Sequence, residues 1–155
     1  PSARASGVSM DARVDLPYSA YSQVDFDIAV GPFSSGSTGD VHDRIVIRVR
    51  EIAASLEIIR QVSDSLPKGR SNIPGDSLAN LKMPAGEAIS WVESSRGLLG
   101  CHVVSEGFAK PTRVAFRSPS LGAVSALSDV LVGQRIEDIA AIVASLDISM
   151  GEAER

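Results

Sequence analysis

The sequence predicts an α+β domain in which one long amphipathic helix is packed with a small antiparallel sheet and C-terminal helices. Three observations carry this. From Gly39 to Leu66, apolar residues recur at steps of three and four. Between Ala88 and Arg117, three short runs of strand-forming residues are separated by turn signals. After Ser118 the helical spacing returns. A length of 155 residues fits one domain, divided into an extended N-terminal segment (1–38), a long helix (39–66), antiparallel strands (87–117) and helices with a terminal signature (118–155).

Residues 1–38 are rich in turn formers. Within them Val24, Phe26, Ile28 and Val30 alternate with Gln23, Asp25, Asp27 and Ala29, which predicts a strand of about seven residues. GPFSSGSTG (31–39) is a loop by composition, and without a GK[ST] ending it is no phosphate cradle.

The long helix has its start and stop written out. Asp40 stands at the N-cap position, and Pro67 and Gly69 end the run. Ile45, Val49, Ile52, Leu56, Ile59 and Leu66 form one stripe, expected to be buried. The rod is roughly 40 Å long at about 1.5 Å per residue. Its polar face holds Asp43, Arg44, Arg48, Arg50, Glu51, Glu57 and Arg60, expected to be solvated; Arg44, Arg48 and Glu51 are candidate structural or interface charges.

An irregular connection, PKGRSNIPGDSLANLKMP (67–84), leads to AISWVE (88–93), LLGCHVVS (98–105) and RVAFR (113–117), read as three strands. Ser94-Ser95-Arg96-Gly97 suits a hairpin turn. Such a small sheet needs support, for which the long helix is the expected partner. Ser118-Pro119-Ser120 starts a further helix with Leu121, Val124, Leu127 and Leu131 on one stripe. Gly133 ends it, and RIEDIAAIVASL (135–146) repeats the pattern.

Composition narrows the function classes. A net charge of −4 argues against a free-standing nucleic-acid binder. No apolar run reaches the length of a membrane span, and the first residues lack a signal-peptide core. The single cysteine, Cys101, excludes an internal disulfide framework and any metal site built from several cysteines of this chain. The chain opens on Pro1 rather than Met, so it is expected to be a piece of a longer protein. His42 and His102 have no second ligand at helical or hairpin spacing, and Cys101 and His102 point to opposite strand faces. No GxSxG elbow occurs. Trp91 reads as core. Glu87, Glu93, Arg96, Arg113 and Arg117 gather around the strands as a structural ion-pair network. Spacing alone therefore assigns no catalytic residue and no metal.

The order of residues over the whole chain resembles the C-terminal part of the 49-kDa family of respiratory complex I (NADH–quinone oxidoreductase), relatives of nickel–iron hydrogenase large subunits. The resemblance rests on RASGV, DLPYSAYSQVDFDIAVG and GDVHDR; on Arg48, Glu51, Ser55, Gln61, Pro67 and Gly69 along the helix; on Pro84, Gly86, Glu87, Glu93, Arg96, Gly97, Arg113, Arg117, Pro119 and Ser120; and on the ending SLDISMGEAER. It implies a core peripheral-arm subunit of a membrane-bound NADH–quinone oxidoreductase, on the cytoplasmic face of the bacterial inner membrane. Such a subunit helps form the cavity where quinone takes electrons from an iron–sulfur cluster on a neighbouring subunit. The implied partners are that iron–sulfur subunit, a 30-kDa-like subunit and the membrane arm, with no cofactor held by this chain alone. The family's head-group histidine and tyrosine belong to its N-terminal half, so no catalytic residue carries over. On matching positions Asp147, Ile148 and Ser149 become candidates for the quinone-cavity wall. The chain departs from the family pattern at Ser149 (usually valine), Glu154 (aspartate), Thr112 (an aromatic) and Leu121 (phenylalanine), and in the length of the loop at Gly36–Thr38. The alternatives are a relative of a membrane-bound nickel–iron hydrogenase or formate hydrogenlyase, disfavoured because 147–155 lacks the CxxC that nickel needs, and a non-catalytic scaffold subunit.

Overall fold

The computed structural model describes residues 1–33, 38–69 and 82–154. The middle of the Gly/Ser loop, including Gly36 and Ser37, most of the 67–84 connection, and Arg155 lie outside them. The N-terminal segment forms two one-turn helices, α1 (Ser2–Ala5) and α2 (Ala12–Asp15), and a 3₁₀ turn (Tyr21–Gln23). The long helix α3 (Val41–Ser65) starts where its cap predicts: the Asp40 carboxylate accepts from the Asp43 N–H at 2.8 Å.

The strands β1 (Gly86–Ser94), β2 (Gly97–Ser105) and β3 (Arg113–Arg117) form one antiparallel sheet in chain order. Ser94 pairs with Gly97, so Ser95-Arg96 is the predicted hairpin turn. The register places Trp91 opposite Gly100, where an added Cβ would lie 2.4 Å from the indole ring, so only glycine leaves room for the tryptophan. His102 pairs with Ile89 and Ala115, and Cys101 with Ser90 and Phe116, on opposite faces as expected.

After the sheet come α4 (Pro119–Ser125), α5 (Leu127–Leu131), a 3₁₀ turn (Ile136–Asp138), α6 (Ile139–Leu146) and α7 (Met150–Ala153). The helix expected from Ser118 to Gly133 is thus two pieces. The Ser125 hydroxyl donates to the Leu121 carbonyl at 2.9 Å, the local competition that disturbs a helix at this point.

Two expectations are corrected. The alternating run 24–30 joins no ladder. Its backbone is served instead by one side chain of α3, since Gln61 donates to the Asp25 carbonyl at 2.7 Å and accepts from the Asp25 N–H at 3.0 Å. Period-two spacing describes an extended backbone but supplies no partner strand.

The other correction is the face of α3. Ile45, Val49, Ile52, Leu56, Ile59 and Leu66 are all exposed, between 50 and 66%, whereas Asp43, Arg44 and Ile47 are buried. The inward face of the first half of the helix is the charged one. It packs against α1 and α6, which bring partners for Arg44, Arg48 and Glu51, while the Phe33 and Gly39 N–H groups of the preceding loop donate to Asp43. Among the described residues the buried apolar side chains are Ala5, Ala12, Ile47, Ile142 and Leu146. The sheet meets α2 and α4, and its tie to α3 runs through ionic groups described below.

Replacing Ile47 by Ala is expected to cost about 2–5 kcal/mol of stability, and Ile52 by Ala within about 0.5 kcal/mol, in urea unfolding of the 155-residue chain. A larger loss at Ile52 than at Ile47 would show that the apolar stripe, not the Ile47 side, is the buried one.

Candidate functional site

Two clusters of charged side chains converge on the inner half of α3. The first is centred on Arg4, which is 1% exposed. Its Nη1 donates to Asp11 Oδ2 at 2.7 Å, Glu93 Oε1 at 3.2 Å and the Met10 carbonyl at 3.0 Å, and its Nη2 binds Glu51. Three carboxylates from three elements therefore share one guanidinium. Arg13 closes the group, donating from Nε to Asp11 Oδ1 at 2.9 Å and from Nη2 to Asp11 Oδ2 at 2.6 Å, a bidentate pair. Glu93 Oε2 also accepts from the Ala12 N–H at 3.3 Å. Asp11, Glu51 and Glu93 are close enough together to suit a metal ion, but the arginines already supply the cations there. Burial alone would push the Asp11 carboxyl up. Hydrogen bonds from the Arg13 side chain and backbone, and the charges of Arg13 and Arg4, reverse that and hold it below its usual range.

The second cluster surrounds the turn after α6. Asp147 adopts a left-handed backbone (φ 52°, ψ 52°) as the helix C-cap, a conformation aspartate tolerates better than most residues. Its carboxylate lies 3.6 Å from Arg96 Nε and 3.9 Å from Arg48 Nε. Arg96 Nε donates to the Asp147 carbonyl at 3.1 Å. Arg48 donates from Nη1 to the Ser145 carbonyl and to the Arg44 carbonyl, while Arg44 Nε donates to Ser145 Oγ at 2.9 Å. The buried Arg48 Nε has no hydrogen-bond acceptor among the described residues. Burial lowers Arg48 from its ordinary range; the Asp147 carboxylate opposes this, and Arg44 and Arg96 reinforce it. It stays a cation throughout.

Arg48, Glu51, Ile52, Ser55, Leu56, Ser95 and Asp147 line one cleft of about 310 Å³, with an apolar rail on α3 at one side and charged donors and acceptors at the other. That combination suits a flat, mostly apolar molecule with a polar end. A larger groove of about 470 Å³ lies elsewhere, between 25–29 and the part of α3 that carries Arg50, Glu57 and Gln61.

Of the residues singled out from sequence, Asp147, Arg48 and Glu51 come together at this cleft, Arg96 binds Asp147 from the hairpin turn, and Arg44 stands behind Arg48. Ile148 and Ser149 continue the turn, half-buried. The proposed strand network divides. Glu93 joins the Arg4 cluster, Arg96 joins Asp147, and Glu87 pairs instead with His102 (2.6 Å). Arg117 lies over the Trp91 ring at 5.9 Å and Arg113 is exposed. Arg44 and Glu51 are not on a solvated face, because α1 and α6 cover them. Sequence reasoning missed Arg4, Asp11 and Arg13 as a buried ionic core, and Ser120, Ser145 and Glu152 as partners of the turn. The close spacing of oppositely charged residues at Asp11 and Arg13 was the available signal.

The chain resembles known proteins over its whole length. The chain is similar to one chain of the solved membrane-bound sulfane sulfur reductase, described as an archaeal respiratory membrane complex, with a TM-score of 0.86 and 39% identity over 98% of this chain and 41% of that one. The fold is therefore that of a component of a respiratory membrane complex. Residues 1–155 match the family described as the respiratory-chain NADH dehydrogenase 49 Kd subunit, and the chain belongs to that family. Curated relatives include NADH-quinone oxidoreductase subunits of Dehalococcoides mccartyi and of Anaeromyxobacter sp. strain K, each 43% identical over 155 residues. The chain spans about 40% of the length of these relatives.

The depressed Asp11 pKa carries a pH signature. Its stabilisation is complete above the ordinary aspartate value of 3.8 and is lost as pH falls through the lower folded value. Urea midpoints from pH 7 to pH 2 are expected to show this loss only below about pH 4, and Asp11→Asn to remove that component while lowering stability at pH 7. The same acid limb in Asp11→Asn would assign it to another group.

Proposed function

We propose that this chain forms part of the core peripheral-arm subunit of an NADH–quinone oxidoreductase of the complex I type, and that Asp147, Ile148 and Ser149 form one wall of the cavity in which quinone is reduced. One observation carries the reading: Asp147 is held in a left-handed turn between Arg48 and Arg96, at a cleft whose other side is the apolar rail of Ile52 and Leu56. Electrons arrive from NADH through an iron–sulfur cluster on a neighbouring subunit. With one cysteine, this chain has too few thiolates to hold such a cluster or a hydrogenase-type nickel site. Its own contribution is to bind and orient the quinone. The apolar rail takes the ring and tail, and the arginines hold the Asp147 carboxylate in place beside the head group.

The exposed stripe of α3 belongs to the same reading. Relatives carry about one and a half times as much additional chain, and a continuous apolar helix face is what that chain would cover. The iron–sulfur subunit, a 30-kDa-like subunit and the membrane arm complete the assembly, which sits at the cytoplasmic face of the membrane. No helix of the described residues is long and apolar enough to cross it.

A second reading draws on the solved relative, a sulfane sulfur reductase: the same cavity would then reduce a sulfur species rather than a quinone. In the purified full complex, Asp147→Asn and Ser149→Leu are expected to change quinone KM or inhibitor affinity about three- to ten-fold, with complex abundance near wild type. Unchanged quinone kinetics in an assembled complex would remove the wall assignment. Activity with polysulfide and none with quinone would favour the second reading.

A further inference from the structure

The wall segment 147–149 is fixed by a closed ring of hydrogen bonds made by residues outside it. At one end Arg96 Nε donates to the Asp147 carbonyl at 3.1 Å. At the other, the Ser149 N–H donates to Ser120 Oγ at 3.1 Å. Glu152 joins the two anchors: its Oε2 accepts from Ser120 Oγ at 2.6 Å and its Oε1 from Arg96 Nη1 at 3.4 Å. Ser120 is 2% exposed, and its own N–H is taken by Ser118 Oγ at 3.2 Å. The ring therefore spans the hairpin turn, the start of α4 and α7, three places distant in sequence.

We propose that Arg96, Ser120 and Glu152 are positioning residues for the quinone cavity: they clamp the peptide backbone on both sides of Ile148 and so set where the Asp147 carboxylate stands. This rests on the reading of 147–149 as the cavity wall. The physical ground is the strained turn. A non-glycine residue at φ 52° holds its position only when its surroundings over-determine it. The clamp supplies a carbonyl acceptor bond before Ile148 and an amide donor bond after it, and the shared carboxylate makes the two interdependent. Glu152 also neutralises part of the charge of Arg96, which keeps that guanidinium from being drawn wholly onto the Asp147 carboxylate. Removing one member displaces the wall without removing any group that faces the substrate.

The test uses the intact complex carrying Glu152→Gln, Ser120→Ala or Ser120→Thr, with Asp147→Asn as the reference for the wall itself. Readouts are KM and kcat for a short-chain quinone, NADH oxidation by an artificial acceptor that bypasses the quinone, and complex abundance. Glu152→Gln and Ser120→Ala are expected to raise quinone KM about three- to ten-fold, the scale of one lost hydrogen bond, with the bypass rate unchanged. Ser120→Thr, which keeps the hydroxyl, is expected to stay near wild type. If Ser120→Ala does not assemble, Glu152→Gln decides. A raised KM in Asp147→Asn with an unchanged one in Glu152→Gln overturns the clamp and leaves the wall standing. An unchanged KM in all variants overturns both. A fall in abundance alone, with KM unmoved, makes the ring merely structural and also overturns the proposal.

Discussion

The structure depends on one guanidinium. Arg4 gathers Asp11 from the start of α2, Glu51 from the middle of α3 and Glu93 from the end of β1. α2 and β1 also pack on each other, but α3 shares few other contacts with either, so the Arg4 guanidinium does much of the joining of the helix to them. Three buried carboxylates without Arg4 and Arg13 would repel one another in a poorly solvated space. With them two guanidinium charges offset two of the three carboxylates, and the arginine donors occupy lone pairs on all three. Gly31 strengthens the arrangement from outside. Its N–H donates to the Arg4 carbonyl at 2.8 Å, and a side chain there would meet the Ala5 carbonyl oxygen at 2.6 Å.

This junction explains why α3 is turned as it is. A helix with a charged stripe and an apolar stripe ordinarily buries the apolar one. Here the charged stripe has found ionic and polar partners on α1, on α2 and at the end of α6, while the apolar stripe is left mostly exposed among the described residues. The inversion gives the molecule two surfaces of different chemistry. One is a polar seam that ends at the Asp147 turn. The other is an apolar face, continued by a cleft of about 270 Å³ between α3 and α6 that Val41, Ile45, Val49 and Ile52 line.

Much of this was readable in the sequence, and the limit falls at a definite place. Local signals worked: the Asp40 cap, the Pro67 stop, the Ser95-Arg96 hairpin turn and all three strands follow from short-range chemistry. Alternation at 24–30 gave the extended backbone but not its partner, because pairing is a long-range property. The stripe of α3 was found residue for residue and assigned to the wrong side. Periodicity tells which residues share a face, and the identity of what covers that face lies elsewhere in the chain. For the site, Asp147, Arg48, Arg96 and Glu51 were named separately, yet only the fold shows that they meet. Arg4 and Glu152 lie 89 and 56 residues from the partners they bind at the sheet, Glu93 and Arg96, separations at which spacing has no resolving power.

The cleft of the proposed quinone wall is tied to the Arg4 junction, since Glu51 is at once a ligand of Arg4 and part of the cleft lining. The most direct measurement is a double-mutant cycle in equilibrium unfolding on Arg4→Met and Glu93→Gln. Arg4→Met is expected to cost about 3–5 kcal/mol, because it leaves buried carboxylates uncompensated, and Glu93→Gln about 1.5–3 kcal/mol, because it weakens a charge-assisted hydrogen bond to Arg4. The double mutant is then expected to lose less than their sum by at least about 1.5 kcal/mol. Additive losses would contradict this, since they would mean that Arg4 and Glu93 stabilise the fold independently and that the junction is not what joins the helix to the sheet.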